Sequence, residues 1–78
     1  MRVASSRERK AISEAFGRRL DAILKRRGIS NAELSRRIGC SKGYVWQLRH
    51  GRQAPTIVTL YYMKRAIGDI SWAEFLGG

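Results

Sequence analysis

Two short helical segments joined through a single glycine constrain this chain more than any other feature. The first opens at Ser30-Asn31-Ala32-Glu33, where a serine at the cap position is followed three residues on by glutamate, the capping-box pattern. Ala32, Leu34 and Ile38 supply its inward face, and Gly39 ends it. Ser41 caps the second segment, whose Val45 and Leu48 stand three apart and pack inward together before Gly51 closes it. With no room for a longer connection, such a pair crosses steeply, and its second helix stands out from the body of the domain.

The segments on either side also read as helices. Ile12, Phe16, Leu20, Ile23 and Leu24 form one apolar stripe on a helical period from Ala11, and Gly28 stops it after the basic run Lys25-Arg26-Arg27. Residues 1–10 carry Arg2, Arg7, Arg9 and Lys10 with little apolar content, and are expected to form a flexible basic arm ahead of a domain over residues 11–78. The arm either has no function or lies along a nucleic-acid backbone or groove. Behind Pro55, Thr56 caps a fourth helix that turns Ile57, Leu60, Tyr61, Lys64 and Ile67 to one side, with Met63 and Ala66 at its flank. Ser71 caps a last short helix, Trp72 to Leu76, before Gly77-Gly78. No strand-like alternation and no internal repeat is visible, so the expected fold is all-α: a compact five-helix domain with its steep pair over about residues 30–51.

Charge narrows the partner. Sixteen Lys and Arg against six Asp and Glu give the 78-residue chain a net charge of +10. A domain this basic meets a polyanion, usually nucleic acid and less often an anionic membrane. No apolar run approaches the ~20 residues that span a bilayer, and the basic N-terminus has no apolar stretch behind it, so a cytoplasmic, nucleoid-associated protein is expected. The single cysteine, Cys40, excludes an intramolecular disulfide and reads as a turn filler. With His50 as the only histidine there is no zinc-ligand set, and no metal or other cofactor is expected. No nucleophile–base pair or phosphate-cradling loop is visible, which argues against an enzyme, and no small-molecule ligand is expected.

At the level of motif, NAELSRRIGCSKGYVWQLRHG resembles the helix-turn-helix of the lambda-repressor/Cro-like, or XRE-type, DNA-binding family. The following RQAPTIVTLYYMKRAIGDISWAEFL resembles the rest of that domain, so the likeness covers about Ala11 to Leu76. It implies that base reading falls on Lys42, Gly43 and Gln47, with Tyr44 beside them. Asn31 stands where the family often has a phosphate-binding Gln, and Ser35 stands at the small position facing the partner helix, its hydroxyl free to bond the carbonyl four residues back. Ser41, Arg49, Arg52, Gln53 and Thr56 are the other expected contacts to the DNA backbone. Trp72, Phe75 and Leu76 either close the core or, as the family's terminal helix often does, form the contact of a homodimer.

Three residues depart from the family's habits. Arg49 replaces a common Glu and leaves the local hydrogen-bond network open. Gly43 gives up a side chain where a base contact belongs, at a cost of about 1 kcal/mol in helix propensity. Trp46 either packs on sugars and thymine methyls or lies on the protein's own surface. The function this implies is a sequence-specific transcriptional regulator of the phage-repressor or restriction–modification-controller kind, occupying a palindromic operator in double-stranded DNA as a dimer. Two rivals stand beside it: a non-specific nucleic-acid binder, and an antitoxin that also holds a toxin.

Overall fold

The structure, a computed structural model, describes residues 5–77. Residues 1–4 of the expected arm and the terminal Gly78 lie outside the described residues. Five helices follow one another: α1 (Ser6–Arg27), α2 (Asn31–Ile38), α3 (Lys42–Arg49), α4 (Ile57–Ile67) and α5 (Trp72–Leu76), with no strand among the described residues.

All five N-termini use the same local chemistry. Ser5, Ser30, Ser41, Thr56 and Ser71 hold extended backbone, and each side chain accepts a hydrogen bond from the amide three residues on. That satisfies one of the orphan donors of each helix. Two expectations change here. Helix α1 begins at Ser6 rather than Ala11, because Ser5 and Glu8 close a full capping box and carry the helix through half of the expected arm. Conversely, α2 has only half of its expected box: Ser30 accepts from Glu33 N–H, but the Glu33 carboxylate turns to Arg36 and Arg37.

The core gathers Leu20, Ile23 and Leu24 of α1, Leu34 of α2, Val45 and Leu48 of α3, Met63 and Ile67 of α4, and Phe75 of α5. The apolar stripes therefore point where the sequence places them, with three corrections. Ala32, expected on the inward face of α2, is only half-buried and stands outside the core, while Ser35 is buried. Ile12 is 63% exposed, one turn beyond the end of the core. Helix α4 is rotated from its expected face: Met63 is inward, while Ile57 and Tyr61 are exposed. IVTLYYMKRAI is apolar nearly all round, so periodicity alone does not select a face; packing against α2 does.

Helices α1 and α3 approach closely at a glycine. A Cβ on buried Gly17 would stand 2.6 Å from the carbonyl oxygens of both Leu48 and Arg49. The turn after α3 repeats the device, since Gly51 sits at φ +69° with Glu14 Cα 2.6 Å from where its Cβ would be. Two residues without side chains thus let the C-terminal end of α3 lie directly on the α1 backbone.

Three arginines that sequence alone left unassigned serve the fold. Arg19 Nε donates to Glu74 O at 2.7 Å, Arg27 donates to Asp69 O at 2.6 Å, and Arg37 donates to Ala66 O at 2.9 Å. Each cation meets carbonyls at or just beyond a helix C-terminus, where the dipole favours positive charge.

Candidate nucleic-acid interface

Helix α3 is buried along Val45 and Leu48 only. Lys42, Gly43, Trp46 and Gln47 are exposed on its outward side, and Tyr44 is half-buried with its ring packed against the core. Of the residues expected to read bases, three are therefore fully available, and Tyr44 has only part of its ring free. The helix pair is held by contact between α2 and α3, and Ser35 is buried. Its hydroxyl donates to Ala32 O at 2.8 Å, three residues back rather than four.

The residues expected at the DNA backbone divide into two groups. Ser41 and Thr56 cap α3 and α4, each using one oxygen lone pair on a backbone amide; the Ser41 hydroxyl keeps donor and acceptor capacity, while the Thr56 hydroxyl also pairs with the Thr59 hydroxyl at 3.0 Å. Arg52 and Gln53 are exposed in the loop behind α3. Arg49 is different and corrects the expectation. Its side chain is only 13% exposed, its guanidinium donates to Asp21 Oδ1 through Nε at 2.9 Å and again through a terminal nitrogen, and a third donor meets Asn31 Oδ1. Arg49 thus ties the end of α3 to α1 and to the start of α2, and does not project toward a ligand. Because guanidinium only donates, the Asn31 amide must turn its oxygen inward, which leaves its NH2 group as an outward donor.

Asp21 is the anchor of this network and also meets Lys25 at 3.0 Å. Lys25, and with it Arg49, holds the Asp21 carboxyl below the usual carboxylate range. A folded-state pKa below the unfolded one, about 3.9 for aspartate, stabilises the fold at neutral pH. That contribution is lost as pH falls below about 4 and through the lowered value. Asp21→Asn is expected to lower stability by about 1–2 kcal/mol at pH 7. Thermal melts of both proteins from pH 7 to pH 2.5 check this: the gap closes toward acid if the ionised carboxylate is responsible, and a gap constant with pH contradicts it.

Burial pushes the Cys40 thiol up, away from the reactive thiolate, in keeping with its place in the α2–α3 turn. Sequence reading missed one property of this region that is visible in the letters: no carboxylate occurs between Glu33 and Asp69. The one acid at the start of that interval, Glu33, is engaged by Arg36 and Arg37. No residue of α3 or of the loop after it is therefore acidic, and the carboxylates that reach this region come from α1, Asp21 on Arg49 and Glu14 beside Gly51. Among the described residues, no three His, Cys, Asp or Glu side chains gather where an ion would sit, and no helix is long and apolar enough to cross a membrane.

A short helix followed after one turn by a second helix whose exposed outer face carries no acidic residue of its own defines a helix-turn-helix DNA-binding domain. The family model of the Cro/C1-type HTH DNA-binding domain matches residues 19–64, more than half of the chain, and the chain belongs to that family. It is also 33% identical over 60 residues to y4dJ of Sinorhizobium fredii strain NGR234, described as an uncharacterized HTH-type transcriptional regulator. The match covers 77% of this chain and 73% of that relative. No solved structure matches the chain significantly.

Proposed function

We propose that this protein is a sequence-specific transcriptional regulator that works by occupying an operator in double-stranded DNA. The observation that carries the reading is the outer face of α3: Lys42 and Gln47 exposed on a helix that has no acidic residue of its own, held in place by Val45, Leu48 and the Arg49–Asp21–Asn31 network. Lys42 suits guanine O6 and N7, and Gln47 suits a bidentate pair with adenine. The Asn31 NH2, the Ser41 and Thr56 hydroxyls, Arg52 and Gln53 surround that face and suit phosphates. The fixed geometry and the outward glutamine favour a specific reader over a packer, which needs neither.

A homodimer on a palindromic site is the arrangement that fits the remaining surface. Trp72 and Leu76 are 37% and 49% exposed, and Ile57, Val58, Tyr61 and Tyr62 of α4 are exposed as well. Tyr61 and Trp72 meet edge to face at 4.9 Å, which gives this face a rigid aromatic ridge. Phe75 leaves the expected contact set, because it is wholly buried beneath Phe16 and the rest of the core. A dimer through this ridge would set two recognition helices about 34 Å apart on one face of the duplex.

Selection of bound sequences from a random duplex pool tests the reading. A repeated half-site, mirrored at one-turn spacing, is expected. Gln47→Ala should then relax choice at one base pair per half-site by about 1–3 kcal/mol. Recovery of random sequence, or a uniform loss of affinity on all sequences, would reject specific reading in favour of non-specific binding. An unmirrored half-site with one copy bound would remove the dimer.

A further inference from the structure

We infer that Trp46 is a specificity-determining residue of the recognition helix, and that its ring reads a thymine through the C5-methyl group. The inference deepens the DNA-binding function proposed above and rests on it.

Trp46 lies on the outward side of α3, since the inward side is taken by Val45 and Leu48. It is adjacent to Gln47 and one turn beyond Gly43, and its ring is 43% exposed. His50, one turn on, stacks on the ring at 3.9 Å between centroids and 19° between planes, with the His50 Nδ1 held 2.9 Å from Trp46 O. The Arg52 guanidinium stands 5.9 Å from the ring centroid. These contacts fix the plate and cover part of it, and the residue remains 43% exposed.

Gly43 completes the geometry. A Cβ built there meets nothing closer than Ser41 Oγ at 3.9 Å, so the helix surface one turn before Trp46 is bare. The outer face of α3 is thus a smooth apolar strip, Gly43 and Trp46, flanked by Lys42 and Gln47. Hydrogen-bonding side chains read the donors and acceptors of the major groove; the apolar group on offer there is the thymine methyl. The missing side chain at Gly43 lets the strip come close, and the fixed indole meets the methyl without losing rotamer freedom on binding.

The experiment uses the full chain and the duplex recovered from the random pool. Each thymine is replaced in turn by uracil, which removes only the methyl group. At one position per half-site the wild-type chain is expected to lose about fourfold in affinity, the value of one buried methyl. Trp46→Ala should bind more weakly but show no further loss at that position. In 5-fluorotryptophan-labelled protein, the fluorine signal assigned to Trp46 by comparison with Trp46→Phe should shift when the duplex is added, a readout that needs no folded alanine variant. Equal uracil effects in the wild type and Trp46→Ala, or a stationary Trp46 signal on a chain that binds the duplex, would overturn the inference. Failure of the wild-type chain to bind any duplex is a different result: it rejects DNA binding itself, and this reading with it.

Discussion

Gly17→Ala is expected to destabilise the fold by about 2 kcal/mol, which lowers the melting temperature of a domain this size by roughly 8–16 °C. The added methyl has to displace backbone, since the atoms it meets at 2.6 Å are the Leu48 and Arg49 carbonyl oxygens. Neither can move without pulling the end of α3 away from α1, and with it Arg49 from Asp21. Gly43→Ala supplies the internal comparison. It is the same substitution in the first turn of α3, but the new methyl has open space around it, with Ser41 Oγ at 3.9 Å. There the gain in helix propensity, at most about 1 kcal/mol, stands alone, and stability rises. Opposite signs in thermal or urea unfolding are the expected outcome. Two gains of similar size would show that α1 and α3 do not meet at Gly17.

Raising salt from 50 to 200 mM is expected to weaken DNA binding by about a thousandfold. Each phosphate neutralised by a cation contributes about 0.9 to the slope of log affinity against log salt, so the dimer proposed above, neutralising about three phosphates per copy, reaches that loss. Lys42 and Arg52 are exposed on a surface with no carboxylate between Glu33 and Asp69. Arg52→Ala should therefore flatten the slope by about 0.9 per copy. Arg37→Ala should leave the slope alone and lower stability, because Arg37 is engaged with Ala66 O and Glu33. Titrations at four salt concentrations check both. A response independent of salt would contradict phosphate contact altogether.

Such contrasts between like residues mark the limit of reading letters. Sixteen cations are equivalent in the sequence, yet Arg19, Arg27, Arg37 and Arg49 are committed to the fold, while Lys42 and Arg52 face outward. The difference depends on which carbonyl or carboxylate another helix brings within reach, dozens of residues away in the chain. Gly17 carries no local signal for the same reason: nothing around it in sequence announces a backbone lying against it. Ser5 is the opposite case. Its pattern with Glu8 was legible, and the low apolar content around it drew the helix boundary too late.

Four helix starts, the stops at Gly28 and Gly39, and the pair of short helices between Ser30 and Gly51 were written in the sequence, because caps and glycine turns act between residues one turn apart. The inward faces of α2 and α3 followed from periodicity, and so did the availability of Lys42 and Gln47. Only the tertiary structure decided the rotation of α4, the burial of Phe75, the withdrawal of Arg49 from the outer surface and the close approach at Gly17. Each of these depends on the distance between elements remote in the chain, and no local pattern encodes that distance. The glycine-joined helix pair is set by local chemistry; the angle at which it is presented is set by α1.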